Sequence, residues 1–373
     1  MKTACISSSL VPSSTANSIQ MMKVCHALSQ VDEPVRLWLP GGGSAAWSDL
    51  ALQYGLTQSF EVRWLSSARI FRRYDFAWRS VTEAQRWGAQ RLYTWMPQAA
   101  VLALRRGLPV ILELHDRVTG RLGPWLFRQF VQTAGKKRLL VITRALRNQL
   151  ETQFGDLSGL DIQIAPNGVA LEQYDGLPEA PSARAYLGLP EKPTVVYSGH
   201  FYAGRGVDLL VGLAAAFPQA SFVWVGGRRE DLEILHRRLE KQNITNVVLT
   251  GFIPNQQLPL YQVAGDILLM PYERSIAGSS GGNSADICSP MKMFDYLAAG
   301  RAILSSDLPV FHEVLTPQNA VFCPPEDLSA WKEALAELIE DPARRQQLGS
   351  QARRDAENYT WRKRAERALL NFA

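Results

Sequence analysis

No run approaching the ~18 consecutive apolar residues of a membrane span occurs in the 373-residue chain. Cysteine is scarce. Cys5, Cys25, Cys288 and Cys323 show no C-x-x-C spacing, which argues against a disulfide framework or thiolate metal site and favours buried or free thiols. The five histidines form no H-E-x-x-H pattern and no Asp-x-Asp pair is present, so a protein-bound divalent metal is not expected. The opening residues, MKTACISSSLVP, carry one lysine and no sustained apolar core. That is a poor match to a secretory leader, and a reducing cytoplasm is the expected setting.

What remains is globular: 46% hydrophobic and 20% charged, with length for two or three domains. Charge is uneven. Residues 1–170 hold 20 Lys and Arg against 11 Asp and Glu, leaving 20 against 24 for the rest. A basic half joined to a mildly acidic half suggests an anionic partner for the first.

Short apolar runs alternate with helix-like segments. In the first half they are Thr3–Ser7, Val35–Leu39, Phe60–Trp64, Arg91–Thr94, Val110–Leu114, Leu139–Ile142 and Ile162–Ala165. In the second they are Thr194–Ser198, Ser221–Val225, Val247–Leu249, Asp266–Met270, Ala302–Leu304 and Ala320–Cys323. Such alternation implies α/β domains with parallel sheets, whose ligands sit outside the carboxyl ends of the strands. Pro, Gly and Ala are frequent over Asp175–Pro193, which reads as a linker with one short helix near Ala183–Leu187. The expected division is a first domain over 1–175, a linker over 176–193, a second domain over 194–357 and a terminal helix over 358–373.

Ser289–Pro309, SPMKMFDYLAAGRAILSSDLP, organises the second half. Ser289 reads as an N-cap and Pro290 as the first helical residue. Met291, Phe294, Leu297 and Ala298 recur at helical spacing, and Gly300 fits a left-handed C-terminal cap. Lys292 in the first turn opposes the helix dipole. It suits either an anion held at the helix start, phosphate above all, or a surface ion pair with Asp295. The loop Gly199-His200-Phe-Tyr-Ala-Gly204-Arg205-Gly206 before the helix at Val207 is a second phosphate candidate. The Ser-rich turn Ser8–Thr15 is either an anion site or a plain turn, and it lacks G-x-G-x-x-G. His115-Asp116 follows a strand, where a histidine is structural or functional. If functional, Asp116 is the neighbour placed to orient it.

The Ser-Pro-x-Lys-x-Phe-Asp-Tyr-x-Ala-x-Gly run and its Ser-Asp-x-Pro turn closely resemble the donor-site segment of retaining glycosyltransferases of family 4, which have the GT-B fold. The resemblance is densest over 194–325. It implies two Rossmann-like domains facing across a cleft, with the nucleotide in the second and the terminal helix crossing back to the first. It implies transfer of a sugar from a nucleotide-diphosphate donor to an acceptor hydroxyl, with retention, without metal and with no cofactor beyond the donor. The acceptor would be a glycan or lipid-linked glycan. His115 would contact the sugar as the catalytic residue. Gly199, His200, Arg205, Ser289, Lys292 and Asp295 would bind the nucleotide sugar, and Gly251–Pro254 the base. Ser14, Thr15 and Asn17 would face the cleft. Asp295 stands where the family usually has Glu. His200 stands roughly where it has Arg. Ile287, beside Asp286, stands where it has a sugar-contacting Glu.

Two basic-aromatic stretches, Arg69–Arg79 and Arg117–Arg138, suit an anionic membrane surface at the inner face of the membrane or a core-facing helix with a basic outer side. The Gly/Ser-rich Ile276–Asp286 suits a lid or an uninvolved loop. The rival readings are an inverting GT-B transferase with His115 as base, a catalytically silent nucleotide-sugar-binding or partner-binding subunit, and a nucleic-acid binder. Nucleic acid is not the expected partner.

Overall fold

The structure is a computed structural model, described here for all residues except 32–33, 69–73, 277–282 and 373. The chain divides into two compact units: Met1–Asn167 with Trp361–Ala373, and Gly168–Thr360. The first holds a seven-stranded sheet: β1 (Thr3–Ile6), β2 (Val35–Pro40), β3 (Glu61–Leu65), β4 (Arg91–Thr94), β5 (Val110–Leu114), β6 (Lys137–Val141) and β7 (Asp161–Ile164). Its order is β3-β2-β1-β4-β5-β6-β7 and every pairing is parallel. The second holds a six-stranded sheet: β8 (Thr194–Ser198), β9 (Ser221–Val225), β10 (Val247–Gly251), β11 (Ile267–Met270), β12 (Ala302–Ser306) and β13 (Ala320–Cys323). It is also wholly parallel, in order β10-β9-β8-β11-β12-β13. Both units are Rossmann-like, as expected.

The central strands are continuous apolar runs because helices cover both faces of a parallel sheet. β5, β8, β9 and β12 are buried from end to end. In each sheet the strand order turns round once, at β1/β4 and at β8/β11. Such a switch point opens a crevice at the strands' carboxyl ends. In the second unit the segments that leave it begin at Gly199 after β8 and at Pro271 after β11.

Several boundaries differ from expectation. The 176–193 segment is no linker. Its helix, Ala180–Leu187, belongs to the second unit. Buried Arg184 anchors it, donating to the Ala264 carbonyl at 3.0 Å and to Asp266 at 3.2 Å. The first unit ends at Asn167 rather than 175, and it regains the chain at Trp361 rather than 358. The helix Trp361–Leu369 packs on the helix Ala16–Val31 of that unit. After β12 the chain makes a 3-10 turn, Pro309–Glu313.

The helix after Ser289 starts one residue later than its sequence suggests. It spans Met291–Ala299 with Pro290 in an extended conformation at the cap and no side-chain cap bond. Proline fixes its own φ and restricts the residue before it, which places buried Ser289 one position ahead of the cap. Met293, rather than Met291, joins Phe294 and Leu297 in the core, and Gly300 closes the helix at φ 63°. Among the described residues no helix is long and apolar enough to cross a membrane.

Candidate functional site

Two cations of the second unit converge on one ring. The Lys292 ammonium lies 5.3 Å from the Tyr272 ring centroid and 3.8 Å from that of Tyr197. The Arg205 guanidinium lies 4.7 Å from the rings of both Tyr272 and Tyr202 and donates to the Tyr202 hydroxyl. His200 stacks on Tyr202. Gly199 makes room for the lysine: a Cβ there would stand 2.7 Å from Lys292 Nζ, on a backbone at φ 144°.

Among the described residues no carboxylate makes an ion pair with either cation. Lys292 Nζ, Arg205 Nε and His200 Nδ1 are buried without a hydrogen-bond partner. The ion pair of Lys292 with Asp295, one alternative of the sequence, is therefore not made. Aromatic faces stabilise both cations but supply no counter-charge. Burial, then the like charge of Arg205, pushes the Lys292 ammonium well below its usual range, with Asp295 opposing. Burial, Arg205, Arg228 and Lys292 lower His200 in the same way. Like charges held together out of water, with donors unspent, form a receptor for an anion.

The backbone of the 199–206 loop is a different matter. The loop is a phosphate candidate from the sequence and leads into the helix Val207–Ala216, but not all of its backbone N–H groups are open. Glu273 already holds two of them: its carboxylate accepts from Gly204 N and Gly206 N, each at 3.1 Å. The loop is seated so closely that a Cβ on Gly206 would stand 1.9 Å from the Pro271 carbonyl. Arg205, between the two glycines, is thereby fixed by its neighbours' backbone. Glu273, Tyr197, Tyr202 and Tyr272 have no role in the sequence analysis. A carboxylate three residues past a strand that ends at the switch point is the available clue to Glu273.

Asp295 is half-buried one turn beyond Lys292. At the position where the family pattern has a sugar-contacting acid, Ile287 is fully buried and Asp286 is exposed. Of the Gly/Ser-rich loop, 277–282 lie outside the described residues. Its described end is tied down by Asn283, which accepts from Ile276 N at 2.8 Å. The Gly251–Pro254 turn leaves β10 at φ 72° for Gly251 and exposes Phe252. A groove of about 1140 Å³ lies beside it, lined by Leu232, His236, Thr250 and Phe252 among others.

In the first unit His115 sits just past β5, and its partner is not Asp116. Asp116 accepts from Arg117 N at 2.8 Å, which turns it back on its own backbone. The ring pairs with Glu113: His115 Nε2 stands 2.5 Å from Glu113 Oε1. Glu113 is fully buried, and Arg364 from the terminal helix reaches the same oxygen at 2.6 Å. Residues two apart on a strand share a face, which is why Glu113 and not Asp116 meets the ring.

Ser14, Thr15 and Asn17 are exposed at the start of the helix Ala16–Val31. Thr15 N bonds Ser13 Oγ, and the Thr15 carbonyl accepts the first helical bond from Ile19 N at 3.0 Å. Here the plain-turn reading describes the geometry. The four cysteines are free thiols. The helices Tyr74–Arg86, Pro97–Arg105 and Gly123–Gln132 pack in a row. They carry exposed Trp78 and Trp125, and Arg106 lies 5.8 Å from the Trp78 ring. Arg69–Arg73 of the basic stretch lie outside the described residues.

Comparison with known proteins gives this geometry a context. Residues 192–341 match the family model Glycosyl transferases group 1, which covers most of the second unit and its cation cluster. Over 299 residues the chain is 27% identical to a GDP-mannose-dependent alpha-(1-6)-phosphatidylinositol monomannoside mannosyltransferase of Mycolicibacterium smegmatis, with 73% of this chain and 74% of that protein covered. It is 21% identical to the sulfoquinovosyl transferase of Arabidopsis thaliana over 71% of this chain, a match that spans 51% of the plant protein. Two other curated relatives are matched over only 43% and 37% of their lengths. Among solved structures, Anabaena HepE in complex with UDP-glucose superposes with a TM-score of 0.76 at 14% identity, covering 99% of this chain and 98% of that one. The fold is shared with HepE.

Proposed function

We propose that this chain is a glycosyltransferase that moves a hexosyl group from a nucleoside-diphosphate sugar to an acceptor hydroxyl. The observation that carries the reading is the cation cluster. Lys292 and Arg205 share the Tyr272 ring, Lys292 Nζ and Arg205 Nε have no hydrogen-bond partner among the described residues, and a diphosphate would supply the missing charge. It would accept from the Lys292 ammonium, the Arg205 fork and the start of the helix at Met291. In sugar transfer, charge accumulates on the departing diphosphate. Fixed cations stabilise it there, and removal of one such donor typically costs ~10²–10³ in rate. These cations do the work that a divalent ion does elsewhere, so the reaction is metal-independent. Asp295 would take the ribose hydroxyls, and the Gly251–Pro254 turn the base. The first unit would supply His115 and bind the acceptor.

The match to the group 1 family model and the relative named as acting on a phosphatidylinositol mannoside support this reading. They also support an acceptor in glycolipid or polysaccharide assembly, while the family 4 assignment and retention of configuration rest on the resemblance of the Ser289–Pro309 segment. The exposed Trp78 and Trp125 among arginines support work at an anionic membrane surface on the cytoplasmic side.

A thermal-shift panel of nucleoside diphosphates and their sugars is the direct test, since a ligand of the folded state raises Tm. One base series is expected to raise Tm and the matching nucleosides, which lack phosphate, are expected to leave it unmoved. No shift with any diphosphate, or an equal shift with nucleosides, removes the basis for the assignment.

A further inference from the structure

Glu113 is an ionisable residue inside a strand that is otherwise apolar and wholly buried. Apart from the His115 ring, every described group that hydrogen-bonds its carboxylate is a donor. Oε1 accepts from Gln20 Nε2 at 2.7 Å and Arg364 Nη2 at 2.6 Å. Oε2 accepts from the Tyr93 hydroxyl and from Arg364 Nη1 at 3.3 Å. These donors come from three places, the helix Ala16–Val31, β4 and the terminal helix, and the His115 ring meets the same carboxylate from the turn after β5. Arg364 has no freedom left either, since Nε and Nη2 also donate to the carbonyls of Pro166 and Ala165 at 2.9 and 3.0 Å.

A carboxylate ringed by donors is ionised and can only accept. Burial opposes its charge, but Arg364, then His115, hold Glu113 down at about 2. The nitrogen of His115 that meets it, Nε2, must therefore carry a proton. Nδ1 makes no hydrogen bond among the described residues, and the His115 side chain keeps 22% of its exposure.

We propose that Glu113 and Arg364 are positioning residues that lock His115 as the Nε2–H tautomer and leave Nδ1, an acceptor in the neutral ring, as the nitrogen that meets the ligand. A hydroxyl of the sugar is the chemistry that fits an acceptor at that place. Only this identity of the ligand rests on the glycosyltransferase reading; the tautomer does not. The arrangement also makes the last helix part of the site, because the residue that clamps Glu113 arrives 251 positions later in the chain.

Long-range ¹⁵N–¹H spectra of histidine-labelled protein test this directly, with His115→Ala used to assign the resonance among five histidines. The wild-type ring is expected to show a protonated Nε2 and a bare Nδ1. Glu113→Gln presents an amide that can donate or accept, and is expected to mix the two tautomers. With the donor found by the panel, it should lower kcat about 10- to 100-fold, as loss of an orienting partner does elsewhere, with donor KM within about twofold. Arg364→Lys, which keeps the charge but loses the fork, is expected to retain the wild-type tautomer with a smaller loss of kcat. A bare Nε2 in the wild-type spectrum overturns the proposal, and so does a Glu113→Gln protein with the same tautomer and turnover. Should Glu113→Gln not fold, the wild-type spectrum decides alone. If the tautomer is as stated but no nucleotide sugar is consumed, the positioning stands and the transferase assignment falls.

Discussion

In the first unit a buried carboxylate, Glu113, meets a buried guanidinium, Arg364, and Tyr93, Gln20 and His115 occupy its remaining lone pairs. In the second unit a buried ammonium and guanidinium share a set of tyrosine rings, and buried nitrogens of Lys292, Arg205 and His200 go without partners. Saturation holds one residue in one orientation, which suits a group that must be aimed. Incompleteness leaves binding strength to be released by something that arrives, which suits a group that must grip and let go.

The largest effect that separates the two centres is on folding. Arg364→Ala leaves Glu113 charged, buried and unpaired, and is expected to lower stability by ~3–5 kcal/mol in urea denaturation. Lys292→Met at the other centre removes a charge that has no partner, and is expected to leave stability unchanged or raised. If both substitutions cost the same, the contrast between the centres is false. The next effect is on binding. Lys292→Met is expected to weaken nucleoside-diphosphate binding by ~1.5–3 kcal/mol, the worth of a charge-assisted bond, as read by calorimetry.

A smaller effect is expected at Gly199. Alanine there must adopt φ 144° and displace Lys292 Nζ, at a cost of about 1 kcal/mol or more, so both stability and diphosphate affinity should fall. The smallest signal is a proton count. The depressed Lys292 ammonium is short of protons in the free protein at any pH between its lowered value and 10.5. A bound diphosphate restores it toward 10.5, so binding takes protons up. Calorimetry at pH 8 in buffers of different ionisation enthalpy should show that uptake, and Lys292→Met should abolish it. Proton release instead of uptake would contradict the open cluster.

The strands were legible because each is a dense apolar run, and a parallel sheet covered on both faces demands such runs. Lys292 was legible because a cation in a helix's first turn contradicts the dipole and asks for an explanation. Arg205 was legible because glycines flank it in a strand-to-helix loop. The start of the Met291 helix was misplaced by one residue, since local signals mark a proline boundary without saying which side of it is helical. Glu113 was passed over for its more conspicuous neighbour Asp116, although a carboxylate in a buried VILEL strand is itself a clue. Arg364 could not be found, because it sits in a helix crowded with charge and nothing local distinguishes it from Arg362 or Arg367. Only the fold shows which arginine turns inward.

That the first unit takes its last thirteen residues from the far end of the chain sets an order of assembly. Synthesis delivers everything Gly168–Thr360 needs before it delivers Trp361. The half begun first is therefore finished last, and until then Glu113 has no guanidinium to meet. A ribosome-bound chain halted before residue 361 should hold a structured second half beside a first half still waiting for its clasp.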